Sequence, residues 1–220
     1  MQVPQALVIT LLGNEYSERV ADRCIESGYD AGIQVKTFDA VKPGEVDSLF
    51  YQYGLRWTWG DGYKGMKHKP YGGNDLARMA CFLSHFLLWE KCAESKEPLL
   101  ILEHDAVFIN PFTPFEFESI CMINDPLGAT PRGDWWSEKM EARGPGVWPK
   151  TKVFDDSRPD GLAGGSAYIL KPEAAGRVID LVYEVGAWPN DAIICRQFMD
   201  LQEHYPFITE VRPDQSTIQG

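Results

Sequence analysis

Short apolar runs alternate along the chain with stretches of helical periodicity. Ala6 to Leu12 (ALVITLL) is almost continuously apolar, which predicts a buried strand. From Tyr16 to about Ser27, Val20, Cys24 and Ile25 share one helical face, and Gly28 is expected to end that helix in the left-handed conformation. Ile33 to Phe38 (IQVKTF) alternates and predicts a second strand. Strand, helix and strand imply a parallel pair with a right-handed crossover.

Residues 51 to 73 then break the pattern. Six glycines and six aromatics leave no apolar period there, so a long loop or lid is expected. Asn74 is placed to cap a helix from Asp75 to about Ser95, with Leu76, Met79, Ala80, Leu83, Phe86 and Leu87 as its apolar stripe. Leu99 to Leu102 (LLIL) is the most hydrophobic strand, and it stops at Glu103, His104 and Asp105. A short strand at Ile120 to Ile123 leads into a second irregular segment, residues 128 to 161. Ala167 to Leu170 reads as a strand, and Pro172 opens a helix to about Val185. A further helix is expected near Asp191 to Met199, then a strand from Phe207 to Val211 and a polar tail. The sum is one α/β domain over residues 1–220, a three-layer sandwich with a mostly parallel central sheet and two long loops.

Charge narrows the partners. The 220-residue chain has a formal net charge of −11, which disfavours a protein that coats nucleic acid, although it leaves room for a local basic groove. Residues 51–73 hold such an island: Arg56, Lys64, Lys67 and Lys69 against the single acid Asp61. Interleaved Trp57, Trp59, Tyr63 and Tyr71 offer stacking surfaces. The island reads either as a lid over a phosphate-bearing ligand or as a solvated loop pinned down by its aromatics. Trp135 and Trp136 carry the same two readings, acceptor platform or loop anchor.

The five cysteines are odd in number and none forms a C-x-x-C pair, so neither a disulfide framework nor a thiolate zinc site is indicated. The start of the chain lacks a basic segment and no run is long enough to span a bilayer, which leads to the expectation of a cytoplasmic protein.

The strongest candidate chemistry lies where LLIL ends. Ligands of open α/β sheets bind beyond the carboxyl ends of strands. If extended backbone continues there, alternation sends Glu103 and Asp105 to one face and His104 to the other. Two carboxylates on one face form a hard-oxygen site for Mn²⁺ or Mg²⁺; a solvated strand end is the plainer reading. Ser84 and His85 adjoin on a helix and so do not face each other, which argues against a hydrolytic dyad and favours a packed His85.

LLILEHDAVF resembles the strand and acidic motif of glycosyltransferase family 25, the lipopolysaccharide- and collagen-type sugar transferases. Further stretches agree in order: ALVITLLGNEYSERVADRC, VKTFDAV, MACFLSHFLLWEKC, GGSAYILKPEAAGRVI and PNDAIICRQF. The chain is similar to short phage-encoded members, which share the EHDA variant. The resemblance implies a GT-A fold and inverting sugar transfer from a UDP-sugar, with Mn²⁺ or Mg²⁺ on Glu103 and Asp105 and Asp191 as general base; a first-turn carboxylate serving only the helix dipole is the plainer reading of Asp191. It also implies donor contacts at Thr10, Leu11, Asp39, Arg78, Ser84 and His104. His104 stands where the family has Asp; alternation points it outward, and turned inward it would ligate the metal or replace it. Gln215 and Ser216 match a polar C-terminal element of the family. The implied acceptor is a glycan or lipopolysaccharide, with hydroxymethylated phage DNA second. A fold that binds nucleotide-sugar without turning it over is the reading from another class.

Overall fold

The computed structural model describes residues 3–68, 75–163 and 165–212. Lys69, Tyr71, the proposed cap Asn74, Gln215 and Ser216 lie outside the described residues. In chain order the elements are β1 (Gln5–Thr10), α1 (Glu15–Asp30), β2 (Val35–Asp39), α2 (Val46–Tyr53), α3 (Asp75–Glu94), β3 (Leu99–Glu103), β4 (Ala106–Phe108), β5 (Ile120–Met122), α4 (Gly133–Arg143), β6 (Gly146–Pro149), β7 (Ala167–Leu170), α5 (Pro172–Val185), α6 (Asn190–Ile193), β8 (Leu201–Tyr205) and β9 (Thr209–Val211).

Seven strands form one sheet in the order β2-β1-β3-β7-β5-β8-β6. β1 runs parallel to β2 and β3, and β5 runs parallel to β8. β7 is antiparallel to both its neighbours and β6 is antiparallel at the edge, so the sheet is mostly parallel in strand direction. β4 and β9 pair as a separate ribbon.

Period-two alternation sorts the central strands between two cores. Leu7, Ile9, Leu99 and Ile101 face α2, α3 and α5. Ala6, Val8, Leu100 and Leu102 face α1 and β4. Each fully buried Leu or Ile of LLIL contributes about 1.5–3 kcal/mol. The result is three layers, with helices α2, α3 and α5 on one side and α1 with the ribbon on the other.

Several elements differ from the sequence reading. Helix α1, capped by the Asn14 side chain accepting from the Ser17 N–H, runs through Gly28 to Asp30, and the left-handed turn falls at Gly32 instead. Gly28 is where α1 meets β2: a Cβ there would lie 2.6 Å from Val35 Cγ2. Helix α3 is buried nearly all round, because it lies between the sheet and α5, and its expected stripe residue Leu76 is exposed. Part of segment 51–73 belongs to α2, and the expected irregular segment 128–161 holds α4 and β6. α4 buries only Gly133, Trp136 and Met140, too sparse a stripe to read as periodicity. The expected helix from Asp191 to Met199 is the four-residue α6 followed by turns. β8 escaped detection because its inward positions are Leu201 and the charged Glu203.

Candidate active site

β3 ends between α1 and α3, and the acidic residues that follow are divided between them. Glu103 keeps the face of Leu99 and Ile101 and meets α3: its Oε1 lies 3.3 Å from Nε2 of the buried His85. The chain then turns at His104–Asp105 rather than continuing extended, so the simple alternation fails. His104 does not point away from the site. It lines the same cavity as Glu103, with Nδ1 3.4 Å from Ser17 Oγ and its ring edge-on to Tyr16. Burial lowers its pKa, which favours the neutral imidazole.

Asp105 is held close to Glu103 in charge and near Arg23 of α1. Its Oδ1 is buried with no hydrogen-bond partner among the described residues. Burial, reinforced by the negative charge of Glu103, pushes its pKa up to about 7. A divalent cation would offset the charge of Glu103 and give the unpartnered Asp105 oxygen a ligand, so the hard-oxygen chemistry of Glu103 and Asp105 fits Mn²⁺ or Mg²⁺. Cys81, His85 and Glu103 also bring three ligand atoms within 4.8 Å of one another. There, however, burial and the neighbouring carboxylates hold the Cys81 thiol well above its usual pKa, which favours the protonated thiol over the thiolate that binds metal.

His85 is fixed by a chain of hydrogen bonds. Trp89 Nε1 donates to Tyr168 Oη at 2.8 Å, and Tyr168 Oη lies 2.8 Å from His85 Nδ1. Tyr168 thereby fixes the imidazole from its Nδ1 side, while Nε2 faces Glu103. Asn190 of α6 reaches the same Nε2 at 3.1 Å, which ties α6 to α3.

Two cavities hold the candidate residues. One, of about 130 Å³, lies between β1, α3 and the end of β3, lined by Leu11, Val41, Ser84, His85, Glu103 and His104 among others. Ligand pockets run to about 300–1,000 Å³, so this one admits a flat moiety rather than a whole nucleotide-sugar. The other, of about 490 Å³, is lined by Trp59, Trp136, Phe154, Arg132, Arg158 and Asp191 among others. Asp191 is partly buried; burial first, then the charge of Glu103, raises its pKa to about 6. Its position depends on Gly165, whose φ is +73° and where a Cβ would lie 2.5 Å from Asn190 Nδ2.

The structure therefore gathers Leu11, Ser84, Glu103 and His104 at one crevice, with Asp191 lining the neighbouring cavity; Asp105 is not among the residues lining either, and is linked to Glu103 and Arg23 through charge. Ser84 Oγ is already occupied, accepting from the Val41 N–H at 2.9 Å and donating to the Ala80 carbonyl. Thr10 is buried and its hydroxyl donates to Val8; its carbonyl accepts from the Ala40 N–H. Asp39 is exposed and accepts from the Leu12 N–H at 3.4 Å. Arg78 pairs with Asp75 at 3.0 Å and does not line the crevice. Trp57 is a core anchor, edge-on to Phe50 and Phe82. Trp59 stacks on His68 at 4.2 Å and also lines the larger cavity. Trp136 is buried, donates from Nε1 to Glu203 at 2.8 Å and lines that cavity, whereas Trp135 is exposed beside Lys139. Sequence reasoning missed Arg132, Phe154 and Arg158. Tyr168 and Asn190 stood inside the quoted motifs without a role.

The fold is a mixed α/β sheet whose central strand ends at Glu103, which lines one cavity, while Asp191 lines another. The chain belongs to glycosyltransferase family 25 (LPS biosynthesis protein), whose family model matches residues 12–124, and it is a glycosyltransferase. No curated protein matches the chain. Among solved structures it is similar to CTP:phosphocholine cytidylyltransferase from Streptococcus pneumoniae, with 13% identity over 94% of this chain and 92% of that one and a TM-score of 0.43. It is also similar to mouse xyloside xylosyltransferase 1 in its apo form, with 9% identity over 87% and 80% of the two chains and a TM-score of 0.39. Among the described residues no helix is long and apolar enough to cross a membrane.

Proposed function

We propose that the chain is a metal-dependent, inverting glycosyltransferase of the GT-A type that moves a sugar from a UDP-sugar to a hydroxyl of a glycan acceptor. The observation that carries this reading is the Asp105 carboxylate, with an oxygen buried and unpartnered among the described residues and Glu103 beside it. Such a group is costly to keep unless something binds it. Glu103 and Asp105 would hold Mn²⁺ or Mg²⁺, which when bound stabilises the charge of the departing diphosphate.

The chain's own residues account for the rest. The cavity lined by Leu11, Val41 and Ser84 receives the base end of the donor, where Val41 and Leu11 supply apolar surface. His85 orients the Glu103 carboxylate. Asp191, facing the larger cavity, takes the proton of the acceptor hydroxyl as its oxygen bonds to the anomeric carbon. The bond from that carbon to the diphosphate oxygen breaks on the opposite side, so configuration inverts and UDP leaves.

The test is incubation with Mn²⁺, a panel of UDP-sugars and candidate glycans, following UDP release and the anomeric configuration of the product by NMR. Release that stops on chelation, with an inverted product, supports the reading. Tight donor binding with no turnover on any acceptor would instead make the chain an inactive nucleotide-sugar-binding module.

A further inference from the structure

The larger cavity is positive in a protein of net charge −11. Arg132 and Lys67 stand exposed at its rim, Arg158 is half-buried, and Asp191 is the one carboxylate in its lining. Both guanidinium groups lie over the same ring: the Cζ atoms of Arg132 and Arg158 are 5.2 and 4.8 Å from the centroid of Phe154. None of the three cations makes an ion pair with a carboxylate among the described residues.

The acids nearby have other partners. Asp156 pairs with Lys152 and Arg196, Asp160 with Lys150 and Arg196, and Asp155 accepts from Ser157, with the charge of Arg158 a smaller influence on it. The local fold thus satisfies these carboxylates mainly through other groups, and two guanidiniums near one ring and a lysine line the cavity. Two guanidiniums lining one cavity suit a phosphate or carboxylate.

We propose that the acceptor carries an anionic group, a phosphate or carboxylate on the sugar that receives the transferred residue, and that Arg132, Arg158 and Lys67 bind it in this cavity. The inference rests on reading Asp191 as the acceptor-side base, and it adds the chemical class of acceptor. Its cations come from two separated segments, residues 67 and 132–158, and only Lys67 belongs to the basic island seen in the sequence. In that island Lys64 pairs with Glu184 at 3.7 Å instead.

The experiment measures acceptor binding by calorimetry with UDP and Mn²⁺ present in saturating amounts, so that the donor side is filled. The probes are glucose, glucose 6-phosphate, glucuronate and a short hydroxymethylated DNA duplex. The expected result is at least about tenfold tighter binding of an anionic sugar than of glucose, weakened by salt, with the preference lost in Arg158→Ala. Arg158 is the first variant because its side chain makes no hydrogen bond within the described protein; Arg132 also donates to the Val153 carbonyl, so Arg132→Gln is read beside its melting curve. Equal binding of neutral and anionic sugars overturns the proposal, as does a preference that both variants retain or binding confined to the DNA. A separate UDP titration and turnover assay decides the transferase reading; binding of the sugar phosphate without any UDP release would overturn that reading and keep this one.

Discussion

Nε2 of His85 lies 3.3 Å from Oε1 of Glu103, and the same imidazole is fixed on its other side by Tyr168 and, through it, Trp89. The side chain is wholly buried, so the contact is built from the core outward. Loss of a partner that orients a metal-binding carboxylate costs about 10–100-fold in metal affinity or activity. His85→Ala is therefore expected to need at least about tenfold more Mn²⁺ for half-maximal UDP release. His85→Gln, which keeps a donor near Glu103, should recover part of that. A Mn²⁺ titration that is the same in all three proteins would show that the imidazole serves packing alone.

Asp105→Asn should have effects of opposite sign on stability and function. A neutral amide removes a buried charge from beside Glu103, so the variant should melt higher than the parent in chelator, by roughly 2–4 °C for each kcal/mol recovered. The parent is expected to melt higher with Mn²⁺; in the variant this rise should disappear, and turnover with it. A variant that melts lower in chelator and still responds to Mn²⁺ would mean that the carboxylate is satisfied within the protein.

Much of the architecture was legible because strong patterns encode it. LLIL, ALVITLL and the Pro172 helix match β3, β1 and α5 to within a few residues. The acidic strand end was legible for the same reason, since an apolar strand that stops abruptly marks the sheet edge. What escaped depends on tertiary partners. Glu203 occupies a core position because Thr151, Trp136 and Lys150 surround it, and nothing local announces that. The turn at His104–Asp105 defeats a two-residue period, so His104 enters the crevice that alternation kept it out of. Arg132 and Arg158 meet only through Phe154.

That buried polar cluster makes a prediction about stability. Asp160 accepts from the Val153 N–H at 3.0 Å and pairs with Lys150 at 3.3 Å and Arg196 at 2.7 Å. Asp160→Ala leaves the buried Lys150 with the more distant Glu203, at 3.9 Å, as its remaining carboxylate, besides the Thr151 carbonyl and the Trp136 ring. Breaking a buried pair from one side costs about 3–5 kcal/mol, and chemical denaturation should show a loss of that order. Asp156→Ala, in the same segment but exposed, should cost well under half as much, and similar losses for the two would remove the special role of the buried pair.

Gly165→Ala tests whether α6 must sit as close as it does. The added Cβ would lie 2.5 Å from Asn190 Nδ2, at a φ of +73° that side chains rarely adopt. The contact linking Asn190 to His85 should loosen and carry Asp191 with it. Turnover is expected to fall more than UDP affinity, since the cavity proposed for the donor is lined by other elements. Equal losses in both would mean that the substitution damages the fold as a whole.

The pH profile offers the sharpest reading of Asp191. Burial and the charge of Glu103 raise its pKa to about 6. A general base works only when deprotonated, so turnover should rise with pH through about 6 and then level off. The sign for stability is the reverse. The folded state holds this proton more tightly than the unfolded chain does, so between the ordinary aspartate value and about 6 the contribution of Asp191 to stability falls as pH rises. Asp191→Asn removes both effects: kcat should drop by about 10²–10⁴ and the remaining rate should lose its acidic limb. A cation on Glu103 also cancels part of the charge that raises this pKa, so saturating Mn²⁺ should move the limb to lower pH than limiting Mn²⁺ does. A parent profile without a limb near pH 6, or one that survives in Asp191→Asn, would assign the proton transfer to another group.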